Sequence, residues 1–156
     1  MMNYTNVPIM GYGFTPNSAT IAANNGTIPV GTSVIWVMPV PSDSNGGGIT
    51  VTEFKPWCHG TIAANVIDLS LVTLGTDNTI MGTVAHCGSA VFGYGGIKNY
   101  YNVVGTIVTA DVNDTGYWCD NDGGDYGLGI QIQQVAVLAV GTTTLGVSVG
   151  WKQGRG

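Results

Sequence analysis

Three aspartates in a short glycine-containing stretch are the residues best suited to chemistry. The stretch reads GYWCDNDGGDYG over residues 116–127 and places Asp120, Asp122 and Asp125 within six positions. Alternate acids beside a glycine match the start of a calcium-binding loop. The match is partial, because such a loop also needs a bidentate glutamate at its end and helices on both sides. The three acids are therefore candidate calcium ligands, with a plain turn between two strands as the alternative that we expect.

The composition of this loop predicts its conformation. Asp and Asn favour turns because their side chains bond to nearby backbone groups, and water and salt screen neighbouring carboxylates in an exposed loop. We expect Gly123 and Gly124 to adopt backbone conformations that would strain other residues. The three acids should face solvent or a partner subunit rather than converge on one metal ion.

Two cysteine–histidine pairs are the second candidate group. Cys58 and His59 stand in WCHG, His86 and Cys87 stand in AHCG, and Cys119 is the third cysteine. Adjacent residues on a strand point to opposite faces, so at most one member of each pair could reach a shared zinc ion. Packed free thiols are the prediction, and a Cys58–Cys87 bridge is the alternative. A catalytic set of Cys87, His59 and an aspartate can be drawn, but no catalytic motif accompanies it.

The chain has few charged residues, and this excludes some classes of function. The 156 residues include 8% charged residues, four cations among them, and the net charge is −5; ordinary soluble domains carry roughly 25% charged residues. Four cations cannot neutralise a row of phosphates, so we expect no nucleic-acid partner. No segment is long and apolar enough for a membrane span, and the N-terminal residues lack the basic and apolar regions of a secretion signal. We predict neither an enzyme nor a cofactor.

The first 42 residues contain no charge, and residues 1–32 keep neither a helical nor a strand period. They are too apolar for a solvated tail and too irregular for a core element. We therefore predict an extended N-terminal arm over residues 1–32 that lies on another surface, followed by a single domain over residues 33–156. An extension packed on its own domain is the alternative.

From residue 33 onward the pattern is that of β-strands. The segment 66–74 places Ile67, Leu69 and Leu71 on one face, and with residues 79–85 it predicts a hairpin. ITVTEF (49–54) alternates so that Phe54 falls opposite Ile49 and Val51, and VVGTIVTADV (103–112) also predicts a strand. About eight short strands with Gly, Asn and Asp turns predict an all-β fold, an antiparallel and jelly-roll-like β-sandwich.

Aromatic residues outside the strand patterns are the candidates for recognition. Tyrosine and tryptophan bury a large area at modest entropic cost and are therefore favoured at protein interfaces. A glycine-rich loop or ragged edge strand at 93–102 holds three tyrosines, and two aromatic residues precede the acidic loop. The interface candidates are Tyr4, Tyr12, Phe14, Tyr94, Tyr100, Tyr101, Tyr117 and Trp118.

The neutral arm, the strands from SVIWVM through TLGVSVGW and the Gly/Thr-rich loops together resemble the small β-sandwich decoration, or cement, proteins of tailed bacteriophage heads. The resemblance is one of overall character and involves no specific motif. It implies a jelly-roll-like homo-oligomer, often a trimer, that is made in the host cytoplasm and binds on the capsid exterior. Its partners would be the major coat protein and copies of itself, because such proteins clamp neighbouring coat subunits.

Two other classes of function stay open from the sequence. One is a receptor-binding tail or fibre domain with lectin-like activity, which would use the aromatic and acidic loops. The other is a hydrolase with a cryptic site, which a deep pocket around His59 or His86 would support.

Overall fold

A computed structural model describes most of the chain. The described residues are 2–10, 13–14, 20–21, 27–28, 31–42, 47–62, 67–88, 94–109, 111–134, 138–139 and 144–154. Within them the structure is all-β, and the only helical element is a 3-10 turn at Thr76–Asn78. None of these residues belongs to a helix that could span a membrane.

The strands are numbered in chain order. They are β1 Met2–Met10, β2 Gly13–Phe14, β3 Thr20–Ile21, β4 Thr27–Ile28, β5 Gly31–Pro39, β6 Gly48–Ile62, β7 Ile67–Leu74, β8 Ile80–Cys87, β9 Tyr94–Asn102, β10 Thr106–Ile107, β11 Tyr117–Asp120, β12 Gly127–Gln134, β13 Leu138–Ala139 and β14 Thr144–Gln153.

Two antiparallel sheets form the body of the protein. The first has the order β1-β14-β6-β11, with β9 paired to the other half of β6, and the second has the order β10-β8-β7-β12-β5. Two further pairs, β13 with β4 and β2 with β3, are two residues long. The predicted all-β antiparallel sandwich is confirmed.

The strand order is that of a jelly roll. Eight principal strands, β1, β5, β6, β7, β8, β11, β12 and β14, pair first with last and so on inward: β1 with β14, β5 with β12, β6 with β11 and β7 with β8. A long hairpin folded over on itself gives this nested pairing, which distributes the eight strands over two sheets. The strands β9 and β10 are an addition between the fifth and sixth principal strands.

The core lies between the two sheets and follows the period-two pattern of the sequence. In β7 the residues Ile67, Leu69 and Leu71 are fully buried while Asp68 and Ser70 are half-buried, as predicted, and β7 pairs with β8 as the predicted hairpin. The buried cluster comprises Val40, Ile49, Val51, Phe54, Ile67, Leu69, Leu71, Val84, Ala85, Cys87, Cys119, Leu128, Ile130, Ile132, Val147 and Val149.

The prediction for ITVTEF was wrong at Phe54. The register between β6 and β14 pairs Glu53 with Gly150 and Val51 with Trp151, so Thr52 is an extra residue on β6. This β-bulge reverses the alternation and turns Phe54 into the core, where it is fully buried together with Val51.

The predicted arm begins with a strand that the sequence pattern did not reveal. Residues 2–10 form β1 and pair along their whole length with β14. The ladder is made by backbone groups and needs no alternating side chains, so an irregular sequence can still form an edge strand. The described remainder of residues 11–32 forms β2, β3, β4 and the start of β5. A role of residues 1–32 on a neighbouring surface stays a prediction.

One close approach in the first sheet requires a glycine. The ring of Trp57 on β6 lies over Gly146, its direct partner on β14, and leaves no room for a β-carbon there. An aromatic side chain that covers a cross-strand glycine supplies the contact area that the glycine lacks. The contact between Trp57 and Gly146 supports the register of β6 against β14, the two inner strands of the first sheet.

Candidate interaction surface at the acidic end

One end of the sandwich gathers the loop of the three aspartates, and we call it the acidic end. It consists of residues 40–42 and 47–48, the turn 75–79, the loop 121–126 and residues 153–154. Backbone hydrogen bonds join these segments: Asn121 N–H to Gly47 O at 3.3 Å, and Gly154 N–H to Gly48 O at 3.2 Å. The side chain of Asn121 also donates to Val40 O at 2.9 Å.

The loop 121–126 carries the chain from the first sheet to the second. It follows β11, which pairs with β6, and precedes β12, which lies between β7 and β5. Tyr126 secures the crossing, because its N–H donates to Leu74 O at 2.8 Å and its carbonyl accepts from Val40 N–H at 2.9 Å. The predicted loop between two strands is confirmed, and it connects two sheets rather than two neighbours in one sheet.

The two glycines of the loop behave differently. Gly124 has a φ of 106°, in the region that strains other residues, as predicted. Gly123 does not have a positive φ; a β-carbon there would come 3.1 Å from Asp120 Oδ2. The prediction of a special backbone conformation therefore holds for Gly124 and was wrong for Gly123.

The three acids have different surroundings. Asp122 is exposed, whereas Asp120 and Asp125 are half-buried. The carboxylate of Asp125 accepts a hydrogen bond from its neighbour across the loop, with 3.1 Å between Asp120 N and Asp125 Oδ2. Within the described residues no three His, Cys, Asp or Glu side chains form a group that could hold a metal ion. Asp125 thus closes the loop. Calcium binding by the three acids is tested by the unfolding experiment at the end of this subsection.

Large apolar side chains are exposed beside these acids. Met81 is 55% exposed, Tyr126 is 45% exposed and Ile80 is 37% exposed. Met81 lies against the backbone of this end, since a β-carbon on Gly75 would come 2.9 Å from its Sδ. The pattern TIMGTVA predicted only the second strand of a hairpin and did not indicate that Met81 would be accessible.

A second exposed apolar group lies on the segment around β10, and we call it the valine surface. Val112 is 97% exposed and Val104 is 68% exposed, and Val108 is exposed as well. The sequence predicted one strand over 103–112, but the structure forms only the two-residue β10 there. The strand is short because Val103 and Gly105 donate their N–H groups to Pro56 O and Phe54 O of β6 in the first sheet, before the chain reaches β8 in the second.

Two of the predicted interface residues pack within the chain. The ring of Trp118 lies over Gly48, where a β-carbon would come 2.5 Å from it. Tyr117 reaches from β11 to the other sheet, with its hydroxyl 2.8 Å from the place of a β-carbon on Gly82. Burial raises the pKa of Tyr117, and the nearby Asp125 and Cys119 raise it further. Both side chains stay half-buried, and their role at an interface stays a prediction.

The other predicted interface residues fall on edge strands or outside the description. Tyr12 lies outside the described residues. Tyr4 is on β1 and Phe14 on β2. Tyr94, Tyr100 and Tyr101 are on β9, whose register against β6 shifts twice, as expected of a ragged edge strand.

The cysteine and histidine side chains that the structure describes, those of His86, Cys87 and Cys119, do not form a reactive set. His86 is exposed and Cys87 is buried, which confirms that these adjacent residues face opposite sides of the strand. The thiols of Cys87 and Cys119 are both free and buried, so no Cys58–Cys87 bridge is formed. On β6, Cys58 pairs with Leu145 and His59 with Thr144.

Burial makes both described thiols poor nucleophiles. Desolvation, and secondarily the charge of Asp68, raises the pKa of Cys87 from 9.0 to about 11. Desolvation and then the charge of Asp125 raise the pKa of Cys119 well above its ordinary value. A reactive cysteine needs a lowered pKa, so the environment of Cys87 opposes the catalytic set drawn from the sequence.

Comparison with known proteins gives similarity of structure only. No protein-family model and no curated protein matches the chain. Among solved structures, a chain of the cyanophage Pam1 capsid asymmetric unit is 12% identical with a TM-score of 0.42, and the match covers 97% of this chain and 82% of that one. A chain of infectious bursal disease virus, Gx strain, is 9% identical with a TM-score of 0.43; the match covers 99% of this chain and 32% of that one.

A third similar structure is that of Cocksfoot mottle virus. Its chain is 10% identical with a TM-score of 0.35, and the match covers 97% of this chain and 95% of that one. Similarity at this level does not assign the chain to a family.

The hydrogen bond of Asp125 provides a test of the acidic loop. Asp125→Ala should lower the free energy of unfolding by about 1 kcal/mol, because the half-buried N–H of Asp120 loses its acceptor. Asp122→Ala is the matched control: it removes the same charge from an exposed position and should change stability by less than about 0.5 kcal/mol. Urea unfolding, with calcium and with a chelator, measures both. A melting temperature that falls on chelation, with Asp122→Ala reproducing the loss, would show that the acids bind calcium.

The buried thiols predict a loss of stability at alkaline pH. Below the ordinary thiol pKa of 9.0, folded and unfolded chains are both protonated and stability does not depend on these groups. As the pH rises from there towards about 11, the unfolded chain loses protons first, so the free energy of unfolding falls. The variant Cys87→Ala/Cys119→Ala should flatten this dependence in denaturant unfolding measured across that range. An unchanged slope would mean that the thiols are accessible in the folded chain.

Proposed function

We propose that this chain is a structural protein of a virus particle, and more specifically a decoration or cement protein that stabilises the head by binding between coat subunits. Its partners are the major coat protein and copies of itself, and its place is the capsid exterior after synthesis in the host cytoplasm. Jelly rolls also serve other functions, so the proposal is argued from the surface of this chain.

The observation that carries the proposal is the valine surface. Val112, Val104 and Val108 lie within nine positions and are exposed to 97%, 68% and 43%. Single exposed apolar residues are ordinary, but three of them within nine positions concentrate apolar area on one segment, which favours a surface that a partner covers. The backbone holds this segment in place through Val103, Gly105 and Val108, whose N–H groups donate to carbonyls of both sheets. A fixed apolar surface needs little ordering when it binds.

The energetics favour coverage of this surface by a broad, charge-poor partner. Burying one valine side chain contributes about 1.5–3 kcal/mol. The segment 103–109 contains no charged residue, so Val104 and Val108 can be covered without stripping an ion of water. Val112 lies beside the exposed Asp111 and near the exposed Asp114, so a partner that covers it must leave these carboxylates in water or pair them. A protein that binds only the assembled lattice stabilises that lattice by mass action, which is the effect required of a cement protein.

The surroundings of the predicted reactive groups point in the same direction. The described thiols are buried and have raised pKa values, and the ring of Trp118 is half-buried against Gly48 of its own sheet. These contacts support a structural role over the hydrolase and lectin-like alternatives.

Association with particles tests the proposed function. The chain should sediment with intact virions in a fixed, high ratio to the coat protein, and particles without it should disassemble at a lower temperature. The variant Val104→Ser/Val112→Ser should bind particles at least about tenfold more weakly, since two apolar contacts are lost. Quantitative mass spectrometry of purified particles measures the ratio.

The matched control for this experiment is Thr109→Ser, an exposed polar position on the same segment. It should bind like the unmodified chain, and all three proteins should unfold at the same denaturant concentration because the altered side chains are already in water. A few copies per particle would indicate a fibre or tail component instead. Absence from particles, or full binding by the double variant, would contradict the proposal.

A further inference from the structure

The edges of the two sheets differ in how well they could accept another strand. Natural proteins protect edges with short strands, bulges, charges or prolines. Besides β1, the described edges are β5, β9, β11 and β10 together with the part of β8 that β10 leaves uncovered. The strand β10 is two residues long, the register of β8 against β7 shifts twice, and β11 is four residues long and ends in Asp120. The strand β9 carries Lys98 and two register shifts, and the register of β5 against β12 shifts between Leu128 and Gly129.

The edge strand β1 has only one of these features. It is nine residues long, MNYTNVPIM, and contains no charge. Its nine pairs with β14 run without a register shift, and no described strand pairs with its outer edge. A long, regular and uncharged edge is a template for a further strand.

The one protective feature of β1 is Pro8, and its position shows which backbone groups of the strand face outward. In an antiparallel pair, successive residues direct their N–H and C=O groups alternately to the partner and away from it. A proline in an edge strand is accommodated where the missing N–H would face away from the partner. Pro8 lies opposite Gly146, so the residues of the same parity, Met2, Tyr4 and Asn6, also direct their backbone groups outward.

We propose that the outer edge of β1 pairs with β1 of a second copy of this chain, antiparallel and centred on Tyr4. Tyr4 then lies opposite Tyr4 of the second copy, and Met2 lies opposite Asn6 in both directions. These are the residues with outward backbone groups, so the two edges exchange about six hydrogen bonds. Pro8 lies outside the paired segment, and the first sheets of the two copies become one continuous sheet.

A second copy fits this edge for two reasons. With a two-fold axis through Tyr4, Met2, Tyr4 and Asn6 of one copy lie opposite Asn6, Tyr4 and Met2 of the other. All of these residues direct their backbone groups outward, so every outward N–H in residues 2–6 meets an outward carbonyl. No charged side chain from either copy is brought into the new pair, and like charges opposite each other would oppose pairing. The pairing goes beyond the proposed capsid role, because it concerns the isolated chain and its failure would leave particle binding untouched.

The oligomeric state of the purified chain tests the pairing. Sedimentation velocity should show a dimer that dissociates on dilution, and Tyr4→Pro should shift it to the monomer because one outward N–H is lost from the centre of the pair. Tyr4→Thr is the matched control: it removes the same side chain, keeps the N–H and should remain dimeric. Thr5→Pro removes an inward N–H from the ladder with β14 and should lower the melting temperature, whereas Tyr4→Pro should leave it nearly unchanged.

A cross-linking experiment fixes the register independently. In a Cys58→Ala background, Tyr4→Cys should give a covalent dimer with a short thiol-to-thiol cross-linker, while Asn6→Cys alone should not. Combining Met2→Cys with Asn6→Cys should restore the covalent dimer. A monomer at every concentration, a dimer that survives Tyr4→Pro, or cross-linking through Asn6→Cys alone would overturn the proposal.

Discussion

The rest of the acidic end depends on the short crossing of the chain from the first sheet to the second, and the backbone hydrogen bonds of Tyr126 anchor that crossing to the second sheet. Its N–H donates to Leu74 and its carbonyl accepts from Val40, while the chain passes from β11 in the first sheet to β12 in the second. So short a crossing requires tight turns, which explains Gly124, and a closed loop, which explains the carboxylate of Asp125. One of the three acids that first suggest a metal site, Asp125, therefore has a structural role in the geometry of the sandwich.

The sequence predicted what depends on local alternation. The buried face of β7, the hairpin of β7 with β8 and the all-β class all follow from period-two patterns. It missed what depends on distant pairing. Phe54 turns inward because of a bulge against β14, and Val104 stays exposed because its neighbours bond to β6. The strand β1 is recognisable only from its partner at the other end of the chain. For the candidate interface, the sequence could select only aromatic residues, because that residue type is favoured at interfaces. The exposure of the valines and of Met81 became visible only in the fold.

Scarcity of charge connects the surface features. With 8% charged residues, the chain covers its sheets with small polar side chains and leaves apolar groups accessible on the valine surface and beside the acidic loop. It also leaves one long sheet edge without the charges that usually prevent pairing. Each feature is a liability for a protein that acts alone in solution. Each becomes an advantage when neighbours of fixed geometry cover it, as in a capsid lattice.

Amide hydrogen exchange of the chain in intact particles, compared with the free chain, tests this account most directly. Residues 2–6 and 104–109 should exchange more slowly in the particle than in the free chain diluted until it is a monomer, because a neighbouring strand and a partner surface cover them. Residues 127–134, which lie between two strands, should exchange slowly in both states and serve as the internal reference. Identical exchange of residues 2–6 and 104–109 in both states would contradict the claim that these surfaces exist to be covered.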